Sequence, residues 1–122
     1  MKVRRIMPNF QVSDLLEADR FYRALLGLEI VMNHGWIVTY AADGSSAMPQ
    51  VSFATEGGSG TPVPALSIEV DDVDDVDEAY RRAKAAGTEI VYDITDEDWG
   101  VRRFFLRDPF GNIVNVLSHA ES

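Results

Sequence analysis

Two stretches decide the fold: "FQVSDLLEADRFYRALLGLEIV" (Phe10–Val31) and "IEVDDVDDVDEAYRRAKAAGTEIV" (Ile68–Val91). Each opens on an alternating apolar strand that ends in Val-x-Asp. Each continues into an amphipathic segment with a Tyr-Arg pair, then stops at a glycine followed by x-Glu-Ile-Val. Self-similarity of this kind marks a duplicated supersecondary unit. The likeness weakens downstream but keeps its offset. Trp36 and Trp99 are spaced as are "QVSF" (Gln50–Phe53) and "IVNV" (Ile113–Val116).

Each copy therefore reads strand–helix–strand–strand–strand. In the first, Arg5–Val12 alternates with a period of two. Ser13 or Asp14 caps a helix over Leu15–Leu26, which Gly27 ends. Glu29–Met32, Trp36–Ala41 and Pro49–Thr55 follow as strands, with the turn "ADGSS" before the last. In the second, Ala65–Val70 is a strand. Asp72 or Asp74 caps a helix to about Ala86, and Gly87 ends it. Glu89–Tyr92, Val101–Leu106 and Asn112–Leu117 are strands. "EGGSGTPVP" (Glu56–Pro64) is the expected linker, rich in residues that interrupt regular structure. The expected organisation is one domain, 1–122, made of modules 1–55 and 65–122 joined by 56–64.

Bulk properties narrow the function classes. The chain has 122 residues, 46% of them hydrophobic, no cysteine and a net charge of −9. That length suits one compact domain. Lack of cysteine removes disulfides, thiolate metal sites and thiol nucleophiles. The acidic balance argues against nucleic acid, which needs a basic face, and mildly favours cationic ligands. No apolar run reaches the roughly 20 residues of a membrane span, and "MKVRRIMPNF" has no signal-peptide core behind its basic residues. A cytoplasmic location is expected. The acidic run "DDVDDVDE" (Asp71–Glu78) reads as helix capping and dipole complementation, since it lacks the glycine bend of a calcium loop.

With these segments in order, the chain resembles the vicinal oxygen chelate superfamily of glyoxalases, extradiol dioxygenases and bleomycin-resistance proteins. "VSDLLEADRFYRALLGLEIV" is similar to the family's first strand–helix signature. "LSIEVDDVDDVDEAYRRAKAAGTEIV" is similar to its second, and "WGVRRFFLRDPFGNIVNVLSH" to its closing segment. The resemblance implies an α+β fold: two tandem βαβββ modules forming a curled mixed sheet, a cup with helices outside. It also implies a homodimer. In the family's metalloenzymes a divalent ion sits in the cup, held by His, Gln or Glu on the first and last strands of each module. Carried over through the motif spacing, those four positions are Met7, Ser52, Ala65 and Asn115. A thioether, a hydroxyl, a methyl group and an amide are a poor donor set for such ions. No metal and no cofactor are expected.

Strand parity then proposes what lines the cup. Pro8, Phe10, Val12, Leu66, Ile68 and Val70 take the helix-covered face. Met7, Asn9, Gln11, Ala65, Ser67, Glu69, Asn115, Leu117 and His119 take the other, joined by Ser52 and, from an overhanging acidic segment, Trp99. Such a mixture suits a small-molecule pocket. Glu69 is a candidate general base, with pairing to Arg102 or Arg103 as its alternative fate. His119 is a second candidate, without an obvious partner in the sequence. His34, in the turn "NHG", reads as an exposed loop residue. The expected function is metal-independent binding of an antibiotic-like or aromatic small molecule, as in the bleomycin-resistance branch. The alternative is a lyase- or glyoxalase-type enzyme with atypical metal ligands or with acid–base catalysis by Glu69 and His119.

Overall fold

The computed structural model describes residues 1–43 and 49–119. Its strands are β1 (Val3–Gln11), β2 (Glu29–Asn33), β3 (Ile37–Ala41), β4 (Gln50–Ala54), β5 (Leu66–Val70), β6 (Ile90–Asp96), β7 (Val101–Arg107) and β8 (Ile113–His119). Helix α1 (Leu15–Asp19) follows β1 and α2 (Val73–Ala85) follows β5. The strand order is β2-β3-β4-β1-β5-β8-β7-β6, a mixed sheet that does not close into a barrel. This is the expected α+β arrangement of two βαβββ runs. The expected "ADGSS" turn lies partly outside the described residues. The contacts form two compact units, Met7–Val63 and Met1–Ile6 with Pro64–Ser122.

The unit Met7–Val63 has a small core of Ala18, Val38, Tyr40 and Phe53. Asp14, not Ser13, is the cap of α1; its carboxylate accepts from the Leu16 amide at 2.8 Å. The expected single α-helix is interrupted. From Arg20 to Leu25 the chain winds as a π-helix, and the Leu26 amide reaches back five residues to the Phe21 carbonyl. Tyr22 stays on the sheet, stacked on Phe53 at 4.3 Å, while Leu16, Phe21, Leu25 and Leu26 remain exposed. Phe10, expected in the core, touches Phe53 at 5.8 Å but is 54% exposed. The segment 56–64 is an ordered turn. The Gly57 amide donates to the Thr61 carbonyl and the Thr61 hydroxyl to the Gly58 carbonyl, with Gly57 and Thr61 buried.

The other unit is better covered. Asp72 is the cap of α2, accepting from the Asp75 amide at 3.1 Å. Val76, Ala79, Tyr80 and Ala83 recur at helical spacing and meet Val70, Phe104 and Val116 of the sheet. Gly87, at φ 71°, ends the helix, and the Thr88 amide closes back on the Ala83 carbonyl. The acidic run is spent locally. Asp74 and Asp75 sit in the first turn, Asp77 pairs with Arg102, and Glu78 pairs with Arg81 and Arg82. Strand β6 runs past the expected Tyr92 to Asp96, because Thr95 and Asp96 pair with Arg103 and Arg102 of β7.

Candidate functional site

The register of the unit built on β5–β8 places its polar groups. Strands β5 and β8 run parallel, with Ser67 beside Asn115 and Glu69 beside Leu117. Strands β7 and β8 are antiparallel, with Phe105 beside Asn115, Arg103 beside Leu117 and Val101 beside His119. These residues share the face opposite α2, since Val70, Phe104 and Val116 take the helix side. That face is buried: Ser67, Glu69, Val101, Arg103, Phe105, Asn115 and Leu117 are all largely withdrawn from solvent.

Asn115 has one partner. Its Nδ2 donates to Ser67 Oγ at 3.1 Å, while its Oδ1 is buried with no hydrogen bond among the described residues. Turning the amide over would exchange the two atoms but still leave one unpaired. An unmet amide atom at a residue only 7% exposed is costly unless something else fills it.

Two strand residues on, Glu69 is fully engaged. Arg5 Nε donates to Oε1 at 2.6 Å and His119 Nδ1 lies 2.9 Å from Oε2. Burial works most strongly against its charge, but the hydrogen bonds and charges of His119 and Arg5 outweigh it. The carboxyl is held below its ordinary range. So the partner is Arg5, not the expected Arg102 or Arg103, and His119 does have a carboxylate partner. Arg5 shares strand parity with Met7, Asn9 and Gln11, so the sequence carried its signal.

Arg103 pairs instead with Glu97 at 2.6 Å, both side chains nearly inaccessible. Its guanidinium also lies over the rings of Tyr92, Trp99 and Phe105, 4.8 to 5.2 Å from their centres. Tyr92 donates to Glu97 at 3.0 Å. Trp99, a candidate for stacking on a cationic ligand, thus already faces a cation of its own chain. No local pattern signals the Glu97–Arg103 pair, because its geometry depends on the hairpin turn between β6 and β7.

In the unit Met7–Val63, Asn9 lies beside Ser52 on neighbouring parallel strands, and both are buried. The Ser52 hydroxyl is 2.7 Å from that of Thr39. Met7 is buried and Gln11 exposed. Of the remaining positions, Ala65 is exposed, its amide bonded to the Ile113 carbonyl, and His34 is an exposed residue stacked near Trp36.

The metal expectation can be tested against these side chains. Ala65 offers no donor, Ser52 is engaged by Thr39, and Met7 and Asn115 supply only neutral groups. No trio of His, Asp or Glu among the described residues is placed to hold an ion. The four positions therefore do not fit the divalent centre of the family's metalloenzymes.

Fold order and strand chemistry together define a paired βαβββ protein with a polar sheet face. A sequence profile of the Glyoxalase/Bleomycin resistance protein/Dioxygenase superfamily matches residues 3–116, and the chain belongs to that superfamily. No curated protein sequence matches it. Among solved structures it is similar to an NAD-dependent benzaldehyde dehydrogenase from Legionella pneumophila, with 18% identity, TM-score 0.74, and coverage of 94% of this chain and 99% of the other. It is also similar to a superfamily member from Vibrio splendidus 12B01, with 19% identity, TM-score 0.66, and coverage of 96% and 99%. A third is methylmalonyl-CoA epimerase from Mycobacterium tuberculosis, with 21% identity, TM-score 0.65, and coverage of 98% and 89%. At such identities these likenesses speak to the fold alone. No helix among the described residues is long and apolar enough to cross a membrane.

Proposed function

We propose that this chain is a metal-independent small-molecule-binding member of the superfamily, closest in character to its bleomycin-resistance branch. The observation that carries the reading is Asn115. At the position where the family's metalloenzymes place a charged ligand, it presents a buried amide oxygen without a partner among the described residues. Such an oxygen accepts an N–H or O–H from a bound molecule, which removes its desolvation cost. The net charge of −9 favours a cationic ligand, and planar drug-like or aromatic molecules are what the resemblance to the bleomycin-resistance branch suggests.

A thermal-shift screen of cationic glycopeptide drugs and aromatic metabolites, run with and without EDTA, tests this. Stabilisation that survives EDTA and disappears in Asn115→Leu is expected. Stabilisation abolished by EDTA, or none from either class, would overturn it. The family precedent and the exposed Leu16, Phe21, Leu25 and Leu26 favour a homodimer. Light scattering at twice 13.6 kDa supports that, and a monomer mass contradicts it.

A second reading has its own support. The 2.9 Å contact between Glu69 and His119 suits a lyase- or glyoxalase-type enzyme that works by proton transfer. A buffer-independent turnover lost in His119→Gln would favour it over simple binding.

A further inference from the structure

We infer that Glu69, His119 and Arg5 form a proton-transfer device whose working atom is Nε2 of His119, and that it accepts a weakly acidic proton from a bound ligand. This deepens the proton-transfer reading and rests on it for the existence of a substrate. The arrangement of the three side chains stands without it.

The roles follow from hydrogen-bond inventory. An ionised carboxylate can only accept hydrogen bonds, so an imidazole nitrogen 2.9 Å from Glu69 Oε2 must carry a proton. Nδ1 is therefore the N–H. In the neutral ring Nε2 holds the lone pair. It makes no hydrogen bond among the described residues, and the His119 side chain is 50% exposed. Glu69 is the reverse case. Its side chain is 6% exposed and each oxygen already has a donor, one from Arg5 and one from His119. A carboxylate so occupied is a poor base. The assignment of Glu69 as the base is thus replaced by one in which Glu69 orients the ring and balances the imidazolium that forms.

Arg5 anchors the carboxylate from the opposite side. Its Nε contact at 2.6 Å fixes Oε1, which leaves Oε2 aimed at the ring. Both Glu69 and Arg5 are positioning residues; His119 alone meets the ligand. In the transfer, the ligand's X–H bond breaks toward Nε2 and its electron pair stays on X. The ring becomes an imidazolium held by the Glu69 charge, and Nε2 later returns the proton to solvent or to the product. No oxidant or co-reactant is needed.

Two measurements on the full chain test this. The first is long-range nitrogen–proton correlation NMR of the two histidines in mildly alkaline solution. His119 is expected as the Nδ1–H tautomer with a pyridine-like Nε2, and Arg5→Gln or Glu69→Gln should move it toward the Nε2–H form that unconstrained imidazoles favour. His34, which has no carboxylate contact among the described residues, should be unaffected. An Nε2–H tautomer in the wild type overturns the device whether or not any ligand binds. The second uses a nitrobenzisoxazole, a planar probe in which loss of a ring C–H proton to a base forms a nitrile, breaks the N–O bond and releases a coloured phenolate. Removing a general base should lower the rate in His119→Gln roughly tenfold or more. His34→Gln should leave it unchanged. A rate equal in wild type and His119→Gln, with the tautomer as expected, overturns proton transfer while leaving small-molecule binding standing.

Discussion

The Glu97–Arg103 pair gives the sharpest stability test. The two side chains are 5% and 4% exposed, and the guanidinium is ringed by Tyr92, Trp99 and Phe105. Glu97→Gln keeps the volume and one hydrogen-bonding oxygen but removes the charge. Breaking a buried ion pair from one side costs about 3–5 kcal/mol, since it strands the other charge. The retained amide and three ring contacts soften this, placing the expected loss near the lower figure, about 3 kcal/mol. For a chain of 122 residues that corresponds to a fall in Tm of roughly 9–15 °C. Urea unfolding followed by tryptophan fluorescence is a suitable assay because Trp99 lies against the guanidinium. Replacing both partners, Glu97→Gln with Arg103→Met, should recover part of the loss, because no buried charge is then left. A Glu97→Gln loss under about 1 kcal/mol, the value of a solvated pair, would refute the buried cage.

Ser118 is 1% exposed and its hydroxyl has no partner among the described residues, so Ser118→Ala should be neutral or stabilising by up to about 1 kcal/mol; a loss above that in urea unfolding would reveal a further partner. Gly57→Ala should destabilise by about 2 kcal/mol or more, because an added Cβ would collide with the Pro62 carbonyl and the Thr61 hydroxyl; unchanged stability would mean that the turn rearranges freely. Glu69 is held below its ordinary value of 4.5, against burial, by His119 and Arg5. Its contribution is therefore present above that pH and lost as pH falls through the depressed value. The stability gap between wild type and Glu69→Gln should narrow from neutral pH into the acid limb, and a gap independent of pH would contradict the pairing.

Much of the fold was legible because its punctuation is local. Asp14, Asp72, Gly27 and Gly87 act where their side chains or backbone freedom require, and none depends on distant partners. The alternation of β8 correctly separated Asn115, Leu117 and His119 from Val116. What escaped depends on register between distant segments. Glu69 and His119 meet only because β5 and β8 pair with Ser67 beside Asn115, a relation that no single strand encodes. Parity put Arg5 on the same face as Met7, Asn9 and Gln11, but its pairing with Glu69 depends on the same kind of register. The π-helical turns from Arg20 escaped because the sequence there, with its Tyr-Arg pair and leucines, fits an α-helix equally well, and tertiary packing of Tyr22 decides. The exposure of Phe10 escaped because parity gives a side chain's face but not whether a helix reaches far enough to cover it.

The central claim is that ligand binding here needs no metal, and the metal content of protein purified without chelators tests it most directly. With Met7, Ser52, Ala65 and Asn115 at the four positions, elemental analysis should find nickel, zinc, manganese and iron each well below one equivalent per chain. One equivalent of any of them, removable by EDTA with loss of thermal stability, would contradict the account.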